Sequence, residues 1–380
     1  MALKSWWYKV VVLGIGILLI ACDKAGTGYP VGSWGEGDIE ALILNEGTIN
    51  TNMGDISVIY RNGVVVPNIF RDVNGRPMGD VAQSITKING YYFVALNNSR
   101  KVEIIEPGTF KSVATILYTQ AGYPRQIVPI TESEAIVSDL NQQLVRIRTM
   151  PPFTEPLEYI PVPQWIEYMV VENNKLFGIT ANGLFVFDIN NINKESARII
   201  HDVRNDESTK TCKMLVDKSQ KIWVCMNEME AGKITGISFS CIDTHTERVV
   251  KKYVLPIRST HPQTGEVIGV ISHNRTDIDP TGTWIYFNAK TCPVDVTEKT
   301  SAGIQSVWRM NVDTGEFQHY RDLPDASMMY GFAVSPTGDV YICDCLDYTT
   351  QRGYIRKYLE DNSVESYRVG VYPSQVYFPR

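Results

Sequence analysis

The sequence predicts an all-β protein, a seven-bladed β-propeller whose first blade is closed by the C-terminal strand. Short apolar runs recur along the chain, turn-forming residues separate them, and the two ends of the chain complement each other. The runs end 41 to 61 residues apart and read EALILN, YYFVALN, EAIVSD, KLFGIT, KIWVCMN, TWIYFN and DVYICD. A repeat of this length built from short strands is typical of propeller blades.

Each repeat divides into four strands, as the third repeat illustrates. Residues 125–131 form its predicted inner strand, and residues 134–139, 143–148 and 156–162 form the next three. The turn TESE at residues 131–134 joins the first two strands, and its residue types favour a tight turn.

The two ends of the chain predict how the ring closes. The first repeat begins with EALILN and lacks an inner strand before it, whereas the chain ends on VYPSQVYFPR. That ending matches AGYPRQIVPI at residues 121–130, since both contain Tyr-Pro-x-Gln. The C-terminal segment therefore supplies the missing strand and removes an exposed sheet edge. The predicted blades span residues 40–85 with 372–380, 79–118, 122–162, 164–203, 209–256, 268–323 and 328–370.

The composition excludes some classes of protein. The 380 residues carry 36 Lys and Arg against 42 Asp and Glu, without the concentrated basic stretch that a nucleic-acid-binding face needs. Twenty tyrosines and seven tryptophans suit a β-rich fold. Six cysteines follow Cys22 without the paired spacing of a zinc site. Cys343 and Cys345 are interpreted as buried free thiols, and Cys212 and Cys225 could bridge neighbouring strands of one hairpin, so the disulfide state of the six cysteines, which include Cys241 and Cys292, stays open.

The N-terminus resembles that of a bacterial lipoprotein. Lys4 and Lys9 precede 12 apolar or small residues, a pattern typical of a secretory signal. The sequence LIAC at residues 19–22 resembles a lipobox, in which the cysteine is acylated and the chain is cut before it. An ordinary cleaved signal is the alternative. The resulting division is a signal peptide at residues 1–21, a lipidated Cys22 with a flexible tether at residues 22–38, and a propeller at residues 39–380.

Several segments carry a closer family resemblance. IVSDLNQQLVRIRTM and FGITANGLFVFDINN resemble the repeat of YncE-like seven-bladed propellers, and ILNEGTINTNMGDISVIY and GYPRQI resemble surface lipoproteins of that class from Bacteroidetes. Some of these proteins capture cobalamin for a TonB-dependent outer-membrane transporter. The resemblance implies a lipid-anchored outer-membrane protein that captures a small nutrient, with a corrinoid suspected, and carries no cofactor of its own. Asp23 does not decide between the inner and the outer membrane, because an acidic residue there accompanies inner-membrane retention in enterobacteria and surface export in Bacteroidetes.

A ligand site is predicted at the mouth of the central channel. The position 14 residues before the end of each run places one residue per blade there. Polar and aromatic side chains that converge on one opening suit a bulky amphipathic ligand. The predicted contacts are Gln83, Arg125, Lys213, Asn274, Tyr330 and, by the Tyr-Pro match, Ser374, with Trp165 and His273 as neighbours and Ile166 at the equivalent position of the fourth blade. The alternative is that these residues only satisfy backbone groups along the channel.

Two other features compete for a binding role. The Asn and Asp residues that end six of the runs are expected to cap tight turns. The loops at residues 46–55 and 290–303 are the clear expansions, and long loops are often functional.

The sequence predicts a protein that is not an enzyme. It contains no nucleophile elbow, H-E-x-x-H or phosphate loop, and no acid stands at the predicted mouth positions, with Glu167 and Asp277 placed deeper. No metal site is predicted. A glycan- or protein-binding surface propeller is the main alternative, and a propeller lactonase or lyase is another.

Overall fold

The computed structural model describes residues 35–204, 213–231, 233–261, 264–265, 267–293, 303–347 and 350–379. They belong to one compact unit, Gly35–Arg380, and form seven antiparallel sheets. The predicted signal peptide, Cys22 and most of the tether lie outside the described residues. No helix within the described ranges is long and apolar enough to cross a membrane.

The strands of the first three blades, apart from the closing strand, lie in the first half of the chain. They are β1 (Ile39–Asn45), β2 (Asp55–Tyr60), β3 (Val65–Val66), β4 (Ala82–Ile88), β5 (Tyr91–Leu96), β6 (Lys101–Ile105), β7 (Ser112–Leu117), β8 (Pro124–Pro129), β9 (Glu134–Asp139), β10 (Gln143–Arg148) and β11 (Glu158–Pro161). The short helix α1 (Ile69–Asn74) and a 3-10 turn at Glu36–Asp38 belong to the first blade region.

The remaining strands build the other four blades and close the first. They are β12 (Tyr168–Glu172), β13 (Lys175–Thr180), β14 (Gly183–Asp188), β15 (Arg198–Ile200), β16 (Leu215–Val216), β17 (Ile222–Glu230), β18 (Lys233–Asp243), β19 (Arg248–Pro256), β20 (Arg258–Thr260), β21 (Val267–Ile278), β22 (Trp284–Pro293), β23 (Ile304–Asn311), β24 (Phe317–Asp322), β25 (Met329–Val334), β26 (Val340–Asp344), β27 (Arg352–Tyr358), β28 (Val364–Val371) and β29 (Pro373–Tyr377). A second 3-10 turn covers Lys194–Ser196.

The predicted fold class is confirmed, including the closure of the first blade. Strand β29 pairs antiparallel with β1, with Leu42 opposite Tyr377 and Asn45 opposite Pro373, so the sheet order is β29-β1-β2-β3. The Val376 side chain is buried in the same apolar cluster as Ala41 and Ile43. The ring is therefore completed by residues from both ends of the described chain.

The sixth blade departs from the four-strand plan. It contains the additional short strand β20, which pairs with the start of β21. This pairing is available because β21 extends over 12 residues, beyond the length of the other inner strands. The sequence pattern did not predict the fifth strand.

The apolar core lies between neighbouring blades. The second strand of each blade is buried on both faces because the sheet is packed between two others. For example, Ile136 and Leu144 of the third blade share one buried cluster with Leu176 and Phe185 of the fourth. This double burial explains why the runs read as nearly continuous apolar segments.

The matching Gln residues of the Tyr-Pro-x-Gln segments join adjacent inner strands. Gln126 Oε1 accepts a hydrogen bond from the backbone N–H of Met169 in the next blade. Gln375 Oε1 accepts one from the backbone N–H of Ile85 at 3.2 Å, across the closure of the ring. The repeated segment is thus a structural link between blades.

The cysteines that can be described are all buried. Cys241, Cys343 and Cys345 are free and buried, and Cys225 is buried in an apolar cluster. Cys212 and the side chain of Cys292 lie outside the described residues.

Candidate functional site

A pocket of about 240 Å³ opens where the inner strands begin. All seven blades contribute to it, because each inner strand starts at the same end of the channel. Its lining side chains belong to Glu46, Gln83, Ser84, Thr86, Arg125, Gln126, Glu167, Tyr168, Lys213, Met214, Arg275, Tyr330, Ser374 and Gln375.

The structure brings together five of the predicted ligand-binding residues in this lining. They are Gln83, Arg125, Lys213, Tyr330 and Ser374. Trp165 is half-buried and does not line the pocket. His273 and Asn274 lie in β21, but their side chains, like Cys22, are outside what the structure describes.

β-Bulges explain why a fixed spacing finds most of the mouth positions. Gln83, Tyr330 and Ser374 are each the extra residue where the register shifts at the start of an inner strand. A bulge turns the extra side chain away from the regular alternation, here into the channel mouth. The β8 bulge likewise contains Arg125.

The fourth blade lacks this bulge, so the fixed spacing fails there. Strand β12 pairs in regular register from Tyr168 opposite Ile179. Ile166 is therefore fully buried in the core, and Glu167 and Tyr168 line the pocket instead. The expectation that no acid stands at the mouth is wrong for this reason.

Arg125 and Glu167 form an ion pair within the pocket. Arg125 Nη2 donates to Glu167 Oε1, and the two side chains are 26% and 5% exposed. Burial opposes the charge on Arg125, but the neighbouring Glu167 carboxylate outweighs it and raises the pKa of the guanidinium. The second carboxylate oxygen, Glu167 Oε2, is buried and has no hydrogen-bond partner among the described residues.

Glu46 supplies the second acid of the pocket. It follows Asn45 directly, at the start of the predicted functional loop at residues 46–55, and accepts a hydrogen bond of 2.8 Å from Tyr330 Oη. Burial raises the pKa of the Glu46 carboxyl, despite the opposing effects of Tyr330 and Arg125. Burial also raises the pKa of Tyr330 well above its usual range, and Glu46 adds to that shift.

Two further cations complete the pocket. The Arg275 guanidinium lies 5.3 Å from the centroid of the Tyr330 ring. Lys213 Nζ lies 3.4 Å from Asp277 Oδ2, which also accepts a hydrogen bond of 3.0 Å from the Val334 N–H. Sequence spacing missed Arg275, which lies next to the predicted Asn274 in the β21 bulge.

The charge balance favours an anion. Three cationic side chains line the pocket against two carboxyl groups, one of which has a raised pKa, and Asp277 next to the lining compensates Lys213. Arg275 has no described carboxylate within salt-bridge distance, so its charge is compensated less than that of Arg125. No group of three or more His, Cys, Asp or Glu side chains arranged to hold a metal ion occurs in the described parts of the chain.

Of the side chains that end the runs, those of Asp139 and Asp344 cap turns as expected, whereas those of Asn45, Asn97 and Asn288 bind backbone groups of neighbouring strands. Asp139 Oδ1 accepts from the Asn141 N–H at 2.7 Å, and Asp344 Oδ1 accepts from the Leu346 N–H at 3.1 Å. They are thus committed to backbone groups. Of the two predicted functional loops, the one at residues 46–55 supplies Glu46, and residues 294–302 of the other lie outside the described ranges.

Comparison with solved structures finds other propellers. A periplasmic gluconolactonase from Pseudomonas aeruginosa is 11% identical, with a TM-score of 0.58, over 90% of this chain and 99% of that chain. A candidate 6-phosphogluconolactonase from Bacteroides fragilis is 8% identical, with a TM-score of 0.60, over 90% and 99%. Hydrazine synthase from Kuenenia stuttgartiensis is 16% identical, with a TM-score of 0.52, over 72% and 75%. No family model matches the chain, and no curated protein sequence matches it.

These comparisons correct the prediction that the protein is not an enzyme. Structures named as lactonases share the fold over nearly the whole described chain. At these identities the similarity shows the fold alone. The absence of known catalytic motifs is nevertheless no longer a reason to exclude hydrolysis.

Proposed function

We propose that this protein binds a small anionic ligand in the pocket at the channel mouth. The observation that carries the proposal is Arg275, whose guanidinium lines the pocket beside Tyr330 without a salt bridge to a described carboxylate. A cleft lined by an excess of one charge concentrates ligands of the opposite charge. Arg125 adds further donors, because only its Nη2 is bound to Glu167.

The size of the pocket limits what can enter it. Its volume of about 240 Å³ lies below the range of roughly 300 to 1,000 Å³ typical of drug-sized ligands. A sugar acid fits with one end in the opening, whereas a corrinoid is many times larger and would insert only an edge.

The wider role that we propose is capture of this ligand at the outer membrane for a TonB-dependent transporter. Its support is the lipobox-like sequence at residues 19–22 and the resemblance of the loop at residues 46–55 to surface lipoproteins. Metabolic labelling with an alkyne fatty acid tests the anchor. Label on the wild type that is lost in Cys22→Ala is expected, and an unlabelled wild type would refute it.

Hydrolysis of a cyclic ester of such an acid is a second candidate function. Glu46 favours it, because burial raises the pKa of this pocket carboxyl group, a shift in the direction that suits a proton donor. In this reaction water adds to the ester carbonyl and the ring C–O bond breaks. Glu46 gives its proton to the departing ring oxygen and regains one from the attacking water. The product is the open hydroxy acid.

Calorimetric titration tests ligand binding directly. Gluconate and 6-phosphogluconate are expected to bind, whereas neutral glucose at the same concentration is not. Arg275→Met should weaken the binding of both anions at least about tenfold, since it removes a charged hydrogen-bond donor. The matched control is Arg321→Met, because Arg321 binds the Leu359 carbonyl away from the pocket. Absence of anion binding, or equal affinity in Arg275→Met, would refute the proposal.

Hydrolysis is tested with gluconolactone in a pH-stat, after subtraction of the spontaneous rate. Glu46→Gln should reduce the enzymatic rate at least about a hundredfold if Glu46 transfers the proton. Glu158→Gln is the control, because that side chain pairs with Arg146 on the outer part of the third blade. A wild-type rate equal to the spontaneous one would exclude this substrate.

A further inference from the structure

The Arg125–Glu167 pair presents unused donors beside an unused acceptor. Glu167 Oε1 is occupied by Arg125 Nη2, and the Glu167 backbone N–H is bound to the Ile179 carbonyl at 3.1 Å. Glu167 Oε2 accepts no hydrogen bond from any residue in the described ranges, although the side chain is only 5% exposed. A buried carboxylate oxygen is stable only when a donor reaches it, so Glu167 Oε2 calls for a donor other than the described side chains and backbone.

Arg125 has the complementary surplus. A guanidinium carries five N–H groups, and the described contacts use one of them. The remaining N–H groups and Glu167 Oε2 therefore belong to one ion pair, and both of its residues line the pocket. A hydroxyl group both donates and accepts a hydrogen bond, so neighbouring hydroxyls match such a pair.

We infer that the bound anion is polyhydroxylated and that one of its hydroxyl groups donates to Glu167 Oε2 while a neighbouring oxygen accepts from Arg125. This inference rests on the proposed function and names the class of ligand: a hydroxylated acid, with its anionic group toward Arg275 and its hydroxyls toward the ion pair. Glu167 is then a residue that determines specificity.

An ordered water is the competing partner for Glu167 Oε2. A water would satisfy the oxygen equally well in the absence of ligand, but it would give no preference between hydroxylated and plain anions. Preference is therefore the quantity to measure. Gluconate and hexanoate make a suitable pair of probes, because both are six-carbon monocarboxylates and only gluconate carries hydroxyl groups.

The experiment is calorimetric titration of both probes into the wild type, Glu167→Gln and the control Glu158→Gln. The wild type should bind gluconate at least about tenfold more tightly than hexanoate, as expected for a hydrogen bond to a charged acceptor. In Glu167→Gln the amide oxygen accepts from Arg125, which leaves the NH2 group where the ligand needs an acceptor. The gluconate affinity should therefore fall at least about tenfold, and the hexanoate affinity by less than about threefold. Glu158→Gln should leave both affinities unchanged.

Several results would overturn the inference. Equal affinity of the wild type for both probes would do so without any variant, even if Glu167→Gln failed to fold. Equal weakening of both probes in Glu167→Gln would assign Glu167 the structural role of holding Arg125. In either case anion binding itself, and hence the proposed function, would stand. If neither anion binds the wild type, the proposed function fails first and the inference fails with it.

Discussion

Removal of residues 373–380 should destabilise the whole propeller, because these residues complete the first blade. The deletion removes strand β29, the only inner strand that pairs with β1 in the described sheets. Val376 is 7% exposed and packs in the core, the Tyr377 ring lies 5.7 Å from that of Tyr92, and the Phe378 ring lies 5.0 Å from that of Tyr341.

The magnitude follows from these contacts. Burial of a large apolar side chain contributes about 1.5 to 3 kcal/mol, and the half-buried Tyr377 and Phe378 contribute about half as much each. The three together give about 3 to 6 kcal/mol, against about 5 to 15 kcal/mol of total stability for a typical domain. For a domain of this size, that loss lowers Tm by about 4 to 8 °C.

Differential scanning calorimetry measures this effect. The control is the chain that lacks only Arg380, which removes no strand. A truncated protein that melts within about 1 °C of this control would show that the ring does not depend on β29. Val376→Ala tests the same closure without removing backbone pairing and should cost about 1 to 3 kcal/mol.

Three further predictions concern titratable groups. Anion affinity should fall as the pH rises through the raised pKa of Glu46, because ionisation of Glu46 adds a negative charge to the pocket. Titration of gluconate from pH 5 to 8 measures this fall. The Glu46→Gln variant should show no such pH dependence. Glu103 is fully buried between Arg76 and Lys101, at 2.6 and 2.9 Å, so Glu103→Gln should cost about 3 kcal/mol in urea unfolding. Burial opposes the charge on Glu103, but Arg76, Ser112 and Lys101 together outweigh burial and lower the pKa of Glu103. Its stabilisation should therefore disappear as the pH falls through that lowered pKa. A Glu103→Gln variant as stable as the wild type at neutral pH would contradict this. Burial raises the pKa of Cys241 and Cys343 to about 12, so neither thiol should react with a disulfide reagent at pH 8 until urea unfolds the chain, and rapid labelling of the native protein would contradict the buried placement.

The fold could be predicted because its signals are local and repeated. Strands β9 and β10 match the predicted residues 134–139 and 143–148, since doubly buried strands flanked by tight turns leave a strong pattern. The outer strand β11 is shorter than predicted because only Glu158–Pro161 pairs with β10. Outer strands are less well specified, as their pattern is weakened by exposure to solvent on one face.

The pocket was predicted less completely because its chemistry depends on register. Glu46 lies one residue after a run, and Glu167 and Arg275 lie one residue from predicted positions. A one-residue change in register sends a side chain to the other face of a strand. Bulges cannot be located from the apolar pattern alone, because no particular residue type identifies the extra residue. The loop at residues 46–55 was found because its length is visible in the sequence.

The same bulges explain how seven blades of similar backbone place different side chains in one pocket. The Gln residues of the two Tyr-Pro-x-Gln segments join inner strands, so the sequence there is constrained by the ring. The bulge residues lie at the start of the inner strands and point into the channel, where they contact the ligand space as well as side chains such as Glu46 and Glu167 of the next blade. Blades of similar backbone can therefore present Gln83, Arg125, Arg275, Tyr330 and Ser374 at one opening. It follows that exchanging Arg275, which forms no salt bridge with a described carboxylate, should alter the ligand with little effect on stability, whereas exchanging Gln126 or Gln375 should weaken the link between blades and lower stability.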